Sequence, residues 1–165
     1  MENETRIKII ERFDSYFSGI NNKGSFLLAF NTFLIGIFFV GYKDLLGMIE
    51  CYEKFIFNIL MGLIMTSSII SMIFTIIAII PYLKSTKISN EKSNWFFNDI
   101  ATEGKYLFIE RINNTTSEQQ ILDLNNQIFE LAKGLRKKHR LIKSALIINF
   151  IEIVLLVPVV YLIIN

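Results

Sequence analysis

Two groups of polar residues stand out in a chain that is otherwise strongly apolar. The first sits inside charge-free hydrophobic runs: Asn31 and Thr32, then Ser67, Ser71 and Thr75 with Thr66 and Ser68 beside them, then Asn149 and Glu152. An ionisable side chain at mid-membrane costs ~2.5–3.5 kcal/mol even on the mildest scale, so such residues face a bundle interior or water. Asn149 and Glu152, three apart, share a helix face, as do Ser67, Ser71 and Thr75 at spacings of four. These faces can converge in two ways. Around the axis of a symmetric oligomer, Glu152 and Asn149 form rings, and a ring of carboxylates is a cation-pore design. Within one chain, a protonated Glu152 acts as interhelical glue with Asn31 or Ser68. A third arrangement leaves Glu152 exposed or snorkelling.

The second group is the basic run "KGLRKKHRLIK", with Lys133, Arg136, Lys137, Lys138, Arg140 and Lys143 in eleven residues. Six cations beside a span serve positive-inside topology and attract anionic head groups, at about 1 kcal/mol each. They also suit a nucleotide phosphate, with Trp95 and Phe96 available to stack a base if they are not core residues. Arg136 and Arg140, four apart, can both reach one anion. Asn22–Lys23–Gly24 lacks the glycine spacing of a phosphate loop and reads as a hinge at the start of a helix.

The inventory disfavours an enzyme. One cysteine (Cys51) and one histidine (His139) assemble neither a catalytic pair nor a zinc site, and no metal or cofactor is expected. The N-terminal "MENETRIKIIERF" is charged and opens no apolar run, unlike a cleavable signal peptide. At 52% apolar, the chain exceeds the ~45–50% usual for soluble domains.

The elements that must carry these residues are set by run lengths. Residues 26–42 and 55–83 hold no charge, and 144–165 hold only Glu152. Each is long enough to cross a bilayer, which takes roughly 20 residues. The expected fold is an all-α membrane protein with three transmembrane helices and a cytoplasmic helical extension. Its parts are an N-terminal helix (1–25), a transmembrane hairpin (26–83), a cytoplasmic insert (84–143) and the third span (144–165). Lys and Arg number four in residues 1–25, two in 43–54 and eleven in 84–143. The basic sides stay inside, so the N-terminus and insert are cytoplasmic and the C-terminus is periplasmic in a bacterial inner membrane. Cys51 then lies on the outer side.

Within the insert, Trp95, Phe96, Ile100, Leu107 and Phe108 indicate a helix of moderate amphipathicity. "NNTTSEQQ" comes next as a turn, with a capping box either at Thr115 and Glu118 or at Thr116 and Gln119. Beyond it Ile121, Leu124, Ile128, Leu131 and Leu135 recur at 3, 4, 3, 4, a seam for a partner helix that Lys138 interrupts and Ile142 resumes. Nothing after the cap breaks a helix until Pro158, so one helix is expected from about Ser117 through the third span. Ile10, Phe13, Phe17 and Ile20 match the seam and make the N-terminal segment its natural partner.

The order of these features resembles a known family. Asp14 precedes Asn22–Lys23–Gly24 at the mouth of the first span, and Pro81 closes the second. "NWFFNDIA" (94–101) is followed by "NQIFELAKGLRKKHRLIKSA" (126–145), which leads into the last span. Together they resemble the transmembrane effectors of Pycsar-type antiphage systems over about residues 10–165. Familiar versions carry Lys–Ala at Lys23–Gly24 and often Pro–Arg at Pro81–Tyr82. The resemblance implies an inner-membrane effector that compromises the membrane when a partner cyclase or nucleotidyltransferase signals infection. In Pycsar systems that signal is a cyclic pyrimidine mononucleotide. Similar effectors serve cyclic-oligonucleotide systems, and in Hailong-type systems a DNA oligomer holds a channel shut. The expected partners are the lipid bilayer, further copies of the chain (a tetramer first) and such a nucleotide. The rival reading is a non-conducting anchor or adaptor for a soluble partner.

Overall fold

The computed structural model describes residues 2–81 and 92–164. Tyr82, Leu83 and the first residues of the insert lie outside that range. Five helices succeed one another: α1 (Glu2–Gly47), α2 (Lys54–Ile79), α3 (Phe97–Glu103), α4 (Lys105–Asn114) and α5 (Ser117–Ile164). There is no strand among the described residues. Three helices, α1, α2 and α5, are long and apolar enough to cross a membrane, so the chain is a membrane protein.

Local chemistry sets the ends of these helices. Pro81 pushes the residue before it out of helical geometry, and Ile80 is extended at φ −49°, ψ 131°. Gly104, at φ 90°, separates α3 from α4 in a backbone conformation that a side chain would strain. The expected single amphipathic helix over this stretch is therefore two short ones. The predicted long helix is present as α5, 48 residues with Pro158 inside it, or about 72 Å at ~1.5 Å per residue. Its cap takes the second of the two registers. Thr116 Oγ1 accepts from Gln119 N at 3.3 Å, and Gln119 Oε1 accepts from Thr116 N at 2.9 Å. Thr115 is engaged elsewhere, donating to Arg111 O at 2.6 Å.

The chain divides into two compact units. One comprises residues 1–18 and 81–137. In it Arg6 Nε donates to Asn125 Oδ1 at 2.8 Å, joining α1 to α5, while Leu124 and Leu135 are buried. The stretch before α3 is held by side chains. Ser93 Oγ accepts from Trp95 N and Phe96 N at 3.1 and 3.2 Å, and Asp123 accepts from Asn94 N at 2.7 Å. Arg111 binds both oxygens of Glu103, Lys92 O, and Asn94 Oδ1.

The other unit, residues 19–80 and 138–165, is a bundle of parts of α1, α2 and α5. Its buried positions repeat at alternating four and three. On α2 they are Phe57, Met61, Ile64, Ser68, Ser71, Thr75 and Ala78. On α1 they are Ile20, Gly24, Leu27, Asn31, Leu34 and Phe38, and on α5 Lys138, Ile142, Ala145, Asn149 and Glu152, then Val159 and Leu162. This is the seven-residue repeat of coiled-coil packing, applied inside a membrane. The core at one end of the bundle is apolar, formed by Leu34, Phe38, Ile49, Phe57, Met61, Ile64, Val159 and Leu162. The outward faces, including Phe33, Phe39, Ile70, Ile73, Phe150 and Ile153, are exposed and suit lipid chains.

Candidate intramembrane polar site

Polar residues replace hydrocarbon at the middle of the three seams. Asn31, Ser68, Ser71, Thr75 and Glu152 are all 0% exposed, and Asn149 is 5%. In a bundle whose seams repeat every seven residues, these positions can face only one another.

Asn31, Ser71 and Asn149 tie the three helices together. Asn31 Nδ2 donates one hydrogen to Leu27 O at 2.8 Å. It directs the other between Ser71 Oγ and Asn149 Oδ1, both at 3.3 Å. Ser71 Oγ donates to Asn149 Oδ1 at 2.5 Å, and Ala145 O lies beyond at 3.4 Å. Thr75 turns inward on its own helix, donating to Ser71 O at 2.8 Å.

Ser68 and Glu152 form the next level. Ser68 precedes Ser71 by three residues on α2, and Glu152 comes three after Asn149 on α5. The two helices are antiparallel, so both steps go the same way along the bundle. The Glu152 carboxyl has Ser67 and Ser68 as its polar neighbours. Neither of its oxygens takes part in a hydrogen bond of good geometry among the described residues, nor does Ser68 Oγ, Asn31 Oδ1 or Asn149 Nδ2. Ser67, half-buried, donates instead to Ile64 O at 2.9 Å.

Of the residues expected in the intramembrane group, Asn31, Ser71, Asn149 and Glu152 are buried together. Ser67 stands at their edge, and Thr32 is on the outward face. In the basic run, Lys133, Arg136, Lys137, Arg140 and Lys143 lie outside the buried seam, whereas Lys138 does not. Lys133 is engaged with Glu130 at 2.7 Å and lies over the Phe129 ring at 4.5 Å. Trp95 is 45% exposed, but Phe96 is only 5%, packed against Phe97 at 5.3 Å between ring centroids. Phe96 is therefore a core side chain, and Trp95 keeps a free face.

Two members of the site differ from the sequence-based expectation. Lys138 does not interrupt the seam. It is 6% exposed, and its ammonium donates to Ala78 O at 2.6 Å and Ile79 O at 3.2 Å. It thereby caps carbonyls at the C-terminus of α2, where a cation is favoured. The signal is its place in the repeat, three residues after Leu135 and four before Ile142. The second is Gly24. The hinge expected there is absent, because α1 runs through it unbroken. A Cβ at Gly24 would stand 2.7 Å from both Cγ1 and Cδ1 of Ile79, so this glycine lets α1 and α2 approach.

No group of three or more potential metal-ligating side chains occurs among the described residues. No curated protein and no solved structure matches the chain. The Pycsar effector protein domain family (PycTM), however, matches residues 6–165, which takes in all three membrane helices and the basic run. The chain therefore belongs to the Pycsar effector family.

Proposed function

We propose that this protein is an antiphage effector of the bacterial inner membrane. In this reading, a cyclic nucleotide from a partner cyclase triggers ion flow through a homo-oligomer, and the membrane depolarises. Family membership supports the defence role and the nucleotide signal. The observation that carries the conduction reading is the fully buried Glu152 among Ser67, Ser68, Asn149 and Asn31. A polar layer with several unsatisfied groups is a poor choice for a permanent anchor, because an apolar seam holds three helices at lower cost. It is a reasonable one for a bundle that must part and admit water.

Burial of Glu152 within its own chain favours the interhelical role for the resting state. Lining a pore then requires α5 to turn or withdraw from α2, and Lys138 on the α2 carbonyls is a contact that must yield. The arginines and lysines of α5 outside the seam supply phosphate-binding capacity, and the free face of Trp95 offers base stacking. The orientation proposed is N-terminus inside and C-terminus outside, and the assembly proposed first is a tetramer.

The test is ion flux in proteoliposomes containing the purified full chain, with cyclic pyrimidine mononucleotides and cyclic oligonucleotides added in turn. Flux on addition of one nucleotide class supports the proposal, and Glu152→Gln should then alter ion selectivity. A chain that binds a nucleotide yet passes no ions would be an adaptor. Flux that a DNA oligomer suppresses would instead favour a channel held closed until infection.

A further inference from the structure

We propose that the Glu152 level of the bundle is a binding site for a small monovalent cation, held within a single protomer. Four oxygens on three helices make no hydrogen bond of good geometry among the described residues: both carboxyl oxygens of Glu152, whose polar neighbours are Ser67 and Ser68, with Ser68 Oγ and Asn31 Oδ1. Their three residues are 0% exposed, and they occupy adjacent levels of one seam. The donors beside them are the Asn149 amide and the Ser67 and Ser68 hydroxyls, with Ser67 engaged on Ile64 O, and none of them carries the positive charge that an ionised Glu152 needs. A carboxylate among neutral oxygens suits a hard cation and not an anion.

Charge sets the valence. No lysine, arginine or histidine occurs between residues 24 and 42 of α1, between 55 and 79 of α2, or after Lys143 on α5. The inward-facing cation of this unit, Lys138, is fourteen residues from Glu152 on the same helix, about 21 Å at ~1.5 Å per residue. It is occupied with the α2 carbonyls and too distant to be a counter-ion. One carboxylate neutralises one positive charge, whereas a divalent ion would leave an excess charge in a medium of low dielectric. Glu152, Ser68 and Asn31 are 0% exposed, so the ion must be one that carboxyl, hydroxyl and amide oxygens can strip of water. Sodium and lithium fit that description.

This assignment is separate from conduction, because an occluded ion can stabilise a bundle that never opens. The experiment is therefore a binding measurement on the full chain in detergent or nanodiscs. Thermal unfolding is followed as choline chloride is replaced by sodium, lithium or potassium chloride at constant ionic strength. The series is run at mildly acidic and mildly alkaline pH. Sodium or lithium should raise Tm in step with the logarithm of its concentration, as for any ligand of the folded state. The effect should be stronger at alkaline pH, where protons compete less. Modification of Glu152 by dicyclohexylcarbodiimide, read by mass spectrometry, should slow in the same salts. Glu152→Gln should abolish the dependence. Ser68→Ala should raise the half-maximal sodium concentration about tenfold, the equivalent of one lost bond to a charged group, and it serves if the Gln variant does not fold. A Tm indifferent to the cation at both pH values would overturn the proposal. So would an equal response in Glu152→Gln, or a Tm that tracks pH alone and that no metal ion restores.

Discussion

The Lys138 ammonium and the Ala78 carbonyl, sixty residues apart in the chain, meet at 2.6 Å inside the bundle. The contact closes α2 where Pro81 prevents its continuation and the last carbonyls have no N–H partners of their own. Replacing Lys138 with Met keeps the stem and removes the charge. The loss should be about 1.5–3 kcal/mol, the range for hydrogen bonds to charged groups. Denaturant unfolding in detergent would show it. Hydrogen exchange should rise at the last turn of α2, while the amides around Phe57 and Met61 stay protected.

Gly24 and Ile79 make the second close approach. Gly24→Ala forces a methyl group to within 2.7 Å of the Ile79 side chain, which can move aside at modest cost. Gly24→Val adds branches that it cannot avoid, and overpacking of this kind costs roughly 1–3 kcal/mol. Ile79→Ala in the Val background should recover most of the lost thermal stability. No recovery would mean that the two helices do not meet there.

Arg111 and Glu103 give the unit of residues 1–18 and 81–137 a dependence on acid. Hydrogen bonding to the Arg111 guanidinium holds the Glu103 carboxyl below its ordinary range. A carboxylate with a depressed folded pKa stabilises the fold above the ordinary carboxylate value, and the benefit is lost as pH falls through the lower one. Hydrogen exchange across residues 92–103 should accelerate in that acid window. Arg111→Gln should show fast exchange already at neutral pH and little further change on acidification.

Cys51 tests the orientation without any engineering. It is exposed, it is the chain's one cysteine, and it lies between α1 and α2. A membrane-impermeant maleimide should label it from the outer face of intact spheroplasts. Labelling only after lysis would reverse the proposed topology.

The three spans, the length of α5 and the inward placing of Asn31, Ser71, Asn149 and Glu152 are legible in the sequence, whereas Thr32 faces outward. Each rests on a local regularity: a run length, a missing helix breaker, a 3–4 spacing. The features that are not legible depend on a partner far along the chain. Lys138 reads as a flaw because a buried ammonium needs acceptors, and Ala78 and Ile79 offer theirs only because Pro81 stops the ladder. Gly24 reads as a hinge because the side chain it makes room for is fifty-five residues away. Phe96 and Trp95, neighbours of equal aromatic character, take opposite roles because Ser93 fixes the turn that precedes them. The choice between the Thr115 and Thr116 caps is open in the sequence for a similar reason. It turns on Thr115 being held by Asn94 and by the carbonyl of Arg111.

The order of the chain also bears on how the protein enters its membrane. Asn31, Ser68 and Ser71 are all synthesised before Asn149 and Glu152. The span that carries the carboxyl is thus the last of the three to emerge from the ribosome. When it does, its polar partners are already in the bilayer. The hairpin of α1 and α2 then offers the glutamate a polar face to pack against as soon as it enters the bilayer.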